Sequence, residues 1–218
     1  VKIEKEARFY FPHSELTQLI FRLKKLVEYS YSNHEVTIMY DNPNPDFSFY
    51  TPSIDGRLRL RHTHPIHDPR FGQSQPRKVG CMVTWKRRLP NQQAPGIRHE
   101  EEIEFSVNSS EAAAVTALLE NVLHCKRVSS YERRRHFFHC NHIEATLDEF
   151  PYGLMLEFEL KDTEDEVILM QTLADFGLDA KGSSSLSCDD KYFELCQKKS
   201  ITIKPDIVFS DTTMPLIQ

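Results

Sequence analysis

Arginine or glutamate recurs at every second residue in stretch after stretch of this 218-residue chain. GRLRLRH sets Arg57, Arg59 and Arg61 in one phase, with Leu58 and Leu60 in the other. IRHEEEIEF sets Arg98, Glu100, Glu102 and Glu104 against Ile103 and Phe105. A two-residue period places each set on one face of a β-strand. Like charges adjacent on one face repel, so a sheet gains nothing from such triplets unless opposite charges or a ligand offset them. A half-solvated antiparallel sheet explains any single polar face, but not this composition repeated strand after strand.

The same alternation runs through most of the chain. In IEKEARF, Ile3, Lys5, Ala7 and Phe9 share one side and Glu4, Glu6 and Arg8 the other. CMVTWKRR opposes Val83 and Trp85 to Thr84, Lys86 and Arg88, and YERRRHFF places Arg133 and Arg135 together. IEATLDEF sets Glu144, Thr146 and Asp148 against Ile143, Ala145 and Leu147; LMLEFEL sets Glu157 and Glu159 against four apolar residues. With EVTIMY at 35–40, about eight strands are expected, and the tight spacing over 133–161 implies hairpins with antiparallel pairing.

Helical spacing lies between them. HSELTQLIFRLKKLVEYS carries Leu16, Leu19, Ile20, Leu23, Leu26 and Val27 at three-and-four intervals, with Ser14 as the expected N-cap. NSSEAAAVTALLENVL repeats the pattern through Val115, Leu118, Leu119, Val122 and Leu123, with Ser109 or Ser110 as cap. DTEDEVILMQTLADFG opens on an acidic turn suited to the helix dipole and ends at Gly177. A shorter helix is expected at DDKYFELCQKK. Residues 62–80 and 89–97 read as long polar, mobile loops. No repeat appears, so one α+β domain over 1–200 with a C-terminal tail at 201–218 is the simplest organisation.

Closing the sheet accounts for the charges. Eight antiparallel strands can form a β-barrel whose inward residues alternate with outward ones. If the apolar faces point outward under helices, the interior holds Glu4, Glu6, Glu100, Glu102, Glu104, Asp148, Glu157 and Glu159 with Arg8, Arg57, Arg59, Arg61, Lys86, Arg88, Arg98, Arg133 and Arg135. So many ions do not fit a dry core, because desolvating each costs several kcal/mol. The interior is expected to be a hydrated tunnel whose natural occupant is a polyanion with a divalent cation. Arg and Lys clamp phosphoryl oxygens; clustered carboxylates hold Mg²⁺ or Mn²⁺.

Other classes are disfavoured. The formal net charge of −5 gives no overall attraction to nucleic acid. No apolar run approaches the roughly 18 residues of a membrane span, and VKIEKEARFY lacks the pattern of a secretory leader. Five scattered cysteines without a CxxC pair point to reduced thiols and a cytoplasmic protein. HFFHCNH (His136, His139, Cys140, His142) and HTHPIHD (His62, His64, His67) lack zinc-finger spacing. They are expected to be exposed hairpin or loop histidines, with a turn near Cys140–Asn141.

The ordered set of motifs resembles the CYTH, or triphosphate tunnel metalloenzyme, superfamily, which includes thiamine triphosphatases, inorganic triphosphatases, class IV adenylyl cyclases and metal-dependent RNA 5′-triphosphatases. The resemblance rests on the Glu-x-Glu-x-basic opening (Glu4, Glu6, Arg8), YDNPNPDFSFYTPSIDGRLRLR, TWKRR, RHEEEIEF, ERRR and IEATLDEFPYGLMLEFEL, over about residues 1–161. It implies an eight-stranded antiparallel tunnel, a triphosphate-bearing small-molecule substrate, and Mg²⁺ or Mn²⁺. Glu4, Glu6, Glu157 and Glu159 would be the metal ligands. Arg57, Arg59, Arg61, Lys86, Arg98, Arg133 and Arg135 would bind phosphate. Glu4, Glu6, Arg8, Glu102 and Asp148 would form the catalytic group, the register within the Glu100–Glu104 run being open by two residues.

Two features depart from the family pattern. Arg8 stands where Lys is usual, which keeps the charge but does not readily donate a proton. The C-terminal Lys-x-Ser-Tyr motif is replaced, with Lys181 or Lys191 as substitutes. The first expectation is a triphosphatase. The alternatives are a class IV-type cyclase, an RNA 5′-triphosphatase and a non-catalytic polyphosphate- or nucleotide-binding module. The last is disfavoured because anion binding alone gives no reason for so many carboxylates.

Overall fold

A computed structural model of the chain describes residues 2–72, 79–90, 96–161, 163 and 165–218. Eight strands form the barrel: β1 (Lys2–Phe11), β2 (Glu28–Asp41), β3 (Gly56–Ile66), β4 (Gly80–Arg88), β5 (Arg98–Val107), β6 (Lys126–Cys140), β7 (Ile143–Phe150) and β8 (Gly153–Leu160). Their order is β2-β3-β4-β5-β1-β8-β7-β6, and a β2–β6 pairing closes the sheet on itself. Every neighbouring pair within this ring is antiparallel. The α+β class and the eight-stranded barrel are therefore as the sequence implies. Closure removes the exposed sheet edges.

Among the described residues, four α-helices lie outside the barrel: α1 (Leu16–Leu26), α2 (Ala112–Ala117), α3 (Glu166–Asp175) and α4 (Cys188–Lys199). The outward face of β1, β7 and β8 supplies Ala7, Phe9, Ala145, Leu147, Leu156 and Phe158 to the largest core cluster, where Leu19, Leu23, Leu169 and Leu173 from α1 and α3 bury against them. Each such apolar side chain stabilises the fold by about 1.5–3 kcal/mol on burial. Phe158 and Phe176 add an edge-on ring contact at 5.4 Å.

Several boundaries differ from the periodicity. Ser14 caps nothing; it lies in a 3-10 turn (His13–Glu15) ahead of α1. The last residues of the stretch that reads as helix to Ser30 belong to β2, because Glu28-Tyr29-Ser30-Tyr31 joins the strand that closes the barrel on β6. Asn108, rather than Ser109 or Ser110, caps the second helical segment through a capping box with Glu111. That segment is regular only to Ala117 and then passes into a π turn, which leaves Leu118, Val122 and Leu123 exposed and buries Leu119. Gly177 follows α3 with φ +77°, the left-handed conformation expected of a helix-ending glycine. Asn141 (φ 48°) turns the β6–β7 hairpin, where a turn is expected.

Residues 62–66 are strand rather than loop, since β3 continues to Ile66 against β2. The remaining parts of the two expected loops at 73–78 and 91–95 lie outside the described residues. Beyond Ser200 the chain runs along the barrel. β9 (Asp206–Ile207) pairs parallel with Ser130 and Tyr131 of β6, and Ile207 and Met214 are buried. All five cysteines are free. No helix among the described residues is long and apolar enough to cross a membrane.

Candidate functional site

The barrel encloses a cavity of about 440 Å³. Its wall carries the carboxylates of Glu4, Glu35, Asp55, Glu100, Glu102, Glu104, Glu144, Glu157, Glu159 and Asp189, and the cations of Arg8, Arg57, Arg59, Arg61, Lys86, Arg88, Arg98, Arg133, Arg135 and Lys161, ten of each. The two signs are partly segregated, Arg8 and Arg98 lying among the carboxylates and Glu35 among the guanidiniums. Most carboxylates come from the adjacent strands β5, β1 and β8; the guanidiniums of Arg57, Arg59, Arg61, Arg133 and Arg135 come from β3 and β6 on the other side. Alternation puts each strand's i, i+2 set in the interior, and the separation follows from which strands are rich in Arg and which in Glu.

One acidic group gathers where β1 begins and β8 ends. Glu4 lies within hydrogen-bonding reach of both Glu102 and Glu159. Lys2 reaches Glu4 at 3.1 Å and Glu159 at 2.8 Å, Lys86 meets Glu4 and lies 3.2 Å from Glu102, and Lys161 lies 2.6 Å from Glu159. Burial opposes ionisation of Glu4, yet Lys86 holds its carboxyl far below the usual range. Burial and the neighbouring Glu4 push Glu102 up to about 8 and raise Glu159 as well. These three crowded carboxylates are neutralised by lysines on long flexible stems. Glu100, Glu102 and Glu104 all line the cavity: Glu102 faces Glu4, Glu104 accepts from Thr84 at 2.9 Å, and Glu101 points outward to Arg87.

The other predicted metal ligands sit deeper. Arg8 donates from Nε to Glu157 Oε2 at 2.7 Å, from Nη2 to Glu6 Oε1 at 2.7 Å and from Nη1 to the Leu186 carbonyl at 3.2 Å. Arg98 also holds Glu6, at 2.9 Å, together with Glu100. Burial with Glu157 nearby raises Glu6 to about 7, and its Oε2 has no hydrogen-bond partner. Burial opposes ionisation of Glu157 too, but Arg8 and Arg135 hold it well below the ordinary range. The four expected metal carboxylates thus divide, with Glu4 and Glu159 beside the lysines and Glu6 and Glu157 beside Arg8.

The basic wall is built around two buried acids. Arg133 contacts Glu35 at 2.6 Å and Asp148 at 3.0 Å, and Arg135 takes both oxygens of Asp148 at 2.6 Å. Asp148 is fully buried behind these guanidiniums and orients them. Arg61 lies 3.5 Å from the same Glu35, and burial together with Arg133 lowers its pKa. Among the described residues no carboxylate lies within ion-pair distance of Arg59, whose Nε is buried without a hydrogen-bond partner. This side of the cavity therefore carries cationic capacity that its own acids do not absorb.

The N-terminus of α4 lies at one end of the tunnel, where Ser187, Cys188 and Asp189 line the cavity. Ser187 caps that helix in a capping box with Asp190. Arg57 is taken up there, with Asp190 at 3.0 Å, Asp189 at 3.5 Å and Asp55 at 2.8 Å. Arg98 and Arg8 bond the carbonyls just ahead of the helix. At the opposite end Glu104 and Ser106 are exposed. The sequence reading missed Glu35, Asp189, Glu144 and Lys161. Glu35 was legible in the alternation of EVTIMY, but Asp189 reaches the tunnel only through the long-range placement of α4.

A second cluster lies outside the barrel. His136 is completely buried, which corrects its expected exposure; His139 stays exposed. Since Arg133, Arg135 and Phe137 point inward, His136 points out, under the segment after β3. Its Nε2 is 2.9 Å from Glu149 Oε1, and its Nδ1 is 2.7 Å from Ser32 Oγ. Asp68, His136 and Glu149 bring ligand atoms within 4.8 Å of one another, so the group could hold a metal ion. Arg70 bridges Asp68 and Glu149, and Phe71 covers the imidazole at 4.5 Å.

No protein-family model and no curated protein matches the chain. Solved structures do. The PH1819 protein of Pyrococcus horikoshii OT3 is similar at 18% identity and a TM-score of 0.65, over 88% of this chain and 98% of that one. A candidate adenylate cyclase from Vibrio parahaemolyticus gives 17% and 0.59, over 86% and 95%. A candidate adenylyl cyclase from Hippeastrum, described as having a dominant triphosphatase activity, gives 17% and 0.55, over 92% and 97%. These likenesses show the fold alone: the closed eight-stranded tunnel of this chain is shared with those proteins.

Proposed function

We propose that the protein is a metal-dependent hydrolase of a small-molecule triphosphate, with water attacking the terminal phosphorus inside the tunnel. The observation that carries this is the partial segregation of charge. Crowded carboxylates at Glu4, Glu102 and Glu159 face guanidiniums at Arg59, Arg61, Arg133 and Arg135 across one cavity. A site that bound only anions would gain nothing from the carboxylates, and one that bound only cations would gain nothing from the guanidiniums.

Phosphoryl transfer depends on positioning and charge neutralisation. Arg59, Arg61, Arg133 and Arg135 would bind phosphoryl oxygens and stabilise the departing diphosphate, with Asp148 and Glu35 fixing the guanidiniums of Arg133 and Arg135 in advance. Lys86, from β4 between β3 and β5, spans the two walls and can leave Glu4 for a phosphate. Glu4, Glu102 and Glu159 would hold Mg²⁺ or Mn²⁺, which would supply charge neutralisation at the phosphates and activation of water. Arg8 is saturated by Glu6, Glu157 and Leu186, so it positions the inner carboxylates rather than moving a proton. The triphosphatase activity described for the Hippeastrum protein supports the reading. Phosphate release from tripolyphosphate, ATP and thiamine triphosphate, with and without Mg²⁺ or Mn²⁺, and with cyclic AMP followed in the ATP reaction, tests it. Release of terminal phosphate is expected; cyclic AMP with diphosphate from ATP would replace hydrolysis by cyclisation.

A further inference from the structure

One buried hydroxyl in the tunnel wall has nothing to bond. Tyr131 is 2% exposed and lines the cavity, and its Oη has no hydrogen-bond partner. Buried phenols normally find one. Two nearby tyrosines do: Tyr152 donates to the Cys188 carbonyl at 2.8 Å, and Tyr192 accepts from the Lys204 amide at 3.2 Å. Leaving Tyr131 unpaired costs the free protein stability, so the group calls for a reason.

Its place follows from the strands. Tyr131 precedes Arg133 and Arg135 on β6 by two-residue steps, so all three point inward. Thr37 of β2 pairs with Tyr131 on one side and Arg61 on the other, and Met39, two residues on, pairs with Arg59. The ring is fixed by packing among Met39, Met155 and Cys188, 5.8 Å from Phe150. Burial disfavours the charge on Arg59, and the Tyr131 hydroxyl beside it is foremost among the groups that outweigh this and raise its pKa. Arg59 Nε is itself unpartnered, whereas Arg61, Arg133 and Arg135 are held by Glu35 and Asp148. Among the described residues that line the cavity, Asn33 is the other neutral one with an unpaired atom. It pairs in the ladder with Arg135, which Asp148 already takes.

We propose that the Tyr131 hydroxyl is a further phosphate-binding group, donating to a phosphoryl oxygen that Arg59 also takes. The proposal rests on the triphosphate reading above. A phenol accepts from a guanidinium and donates to a phosphate at the same time, which an ionised carboxylate cannot do. It therefore orients Arg59 without neutralising it, and it has no acid partner to leave before it meets the ligand. Hydrogen bonds to a charged oxygen are the stronger kind.

Tyr131→Phe removes the hydroxyl and keeps the ring. KM for tripolyphosphate is expected to rise about tenfold or more with kcat little changed. The Tm of the free protein should hold or rise, since no partner is lost, while the gain in Tm on adding tripolyphosphate should shrink. In an Arg59→Ala background the same change should cost less than about threefold, because the two groups share one oxygen. An unchanged KM, a lower Tm of the free variant, or the full tenfold loss in the Arg59→Ala background would overturn the proposal. If the wild type releases no phosphate from tripolyphosphate, the hydrolase proposal fails separately. Calorimetry with Mg²⁺ present then decides this one: weaker tripolyphosphate binding by Tyr131→Phe supports it, and equal binding, or none by either protein, overturns it.

Discussion

Arg8 donates from Nε to Glu157 at 2.7 Å while a second nitrogen holds Glu6 at the same distance. Its third nitrogen bonds the Leu186 carbonyl, one residue before the cap of α4. One planar guanidinium thus ties the inner carboxylate pair to the segment that leads into α4. A lysine at this position offers a single ammonium and no fork.

Arg8→Lys is accordingly expected to loosen α4 and to destabilise the protein by about 1–3 kcal/mol, because a buried acceptor loses its partner. Chemical denaturation measures the loss, and faster hydrogen exchange over residues 186–190 locates it. Unchanged exchange there would show that the Leu186 contact does not hold the helix.

Arg57 and Arg59 are neighbours on one strand face and should behave differently. Arg57 is already bound by Asp55, Asp189 and Asp190, so Arg57→Ala should lower stability more than substrate affinity. Arg59 breaks no ion pair when removed, and Arg59→Ala should lower kcat/KM for tripolyphosphate by about 10- to 100-fold with little change in Tm. A steady-state comparison beside thermal melts separates the two.

Acid should unlatch the basic wall. Burial alone would raise the Glu35 carboxyl, but Arg133 and Arg61 overcome this and hold it at about 2, against an ordinary value of 4.5. A depressed folded-state pKa contributes stability that is present above the ordinary value and lost as pH falls toward the folded one. The wild type should therefore lose stability between about pH 4.5 and 2, with a flatter profile in Glu35→Gln. At neutral pH the same substitution leaves Arg133 short of a partner and should destabilise by about 3–5 kcal/mol. Urea melts across this range check both.

The barrel was legible because its interior is charged. Arg57-Arg59-Arg61 and Glu100-Glu102-Glu104 announce strand faces more plainly than any apolar run, and Glu4 and Glu159 could be placed beside one another from their motifs. What stayed hidden depends on contacts distant in sequence. The burial of His136 comes from Asp68, Arg70 and Phe71 folding back after β3, and no local pattern records that. The fate of Arg57 depends on α4, more than 130 residues away. Which carboxylates meet follows from the staggered register of a closed sheet: Glu4 pairs in the β-ladder with Glu100, yet its carboxyl meets Glu102.

Phosphate release from tripolyphosphate in Mg²⁺ or Mn²⁺, compared between the wild type and a folded Glu4→Gln variant, tests the central claim most directly. Release by the wild type that stops on chelation, and falls by about 100-fold or more in the variant, is the predicted result. Tight metal-independent binding of tripolyphosphate without release, or a Glu4→Gln protein as active as the parent, would contradict it.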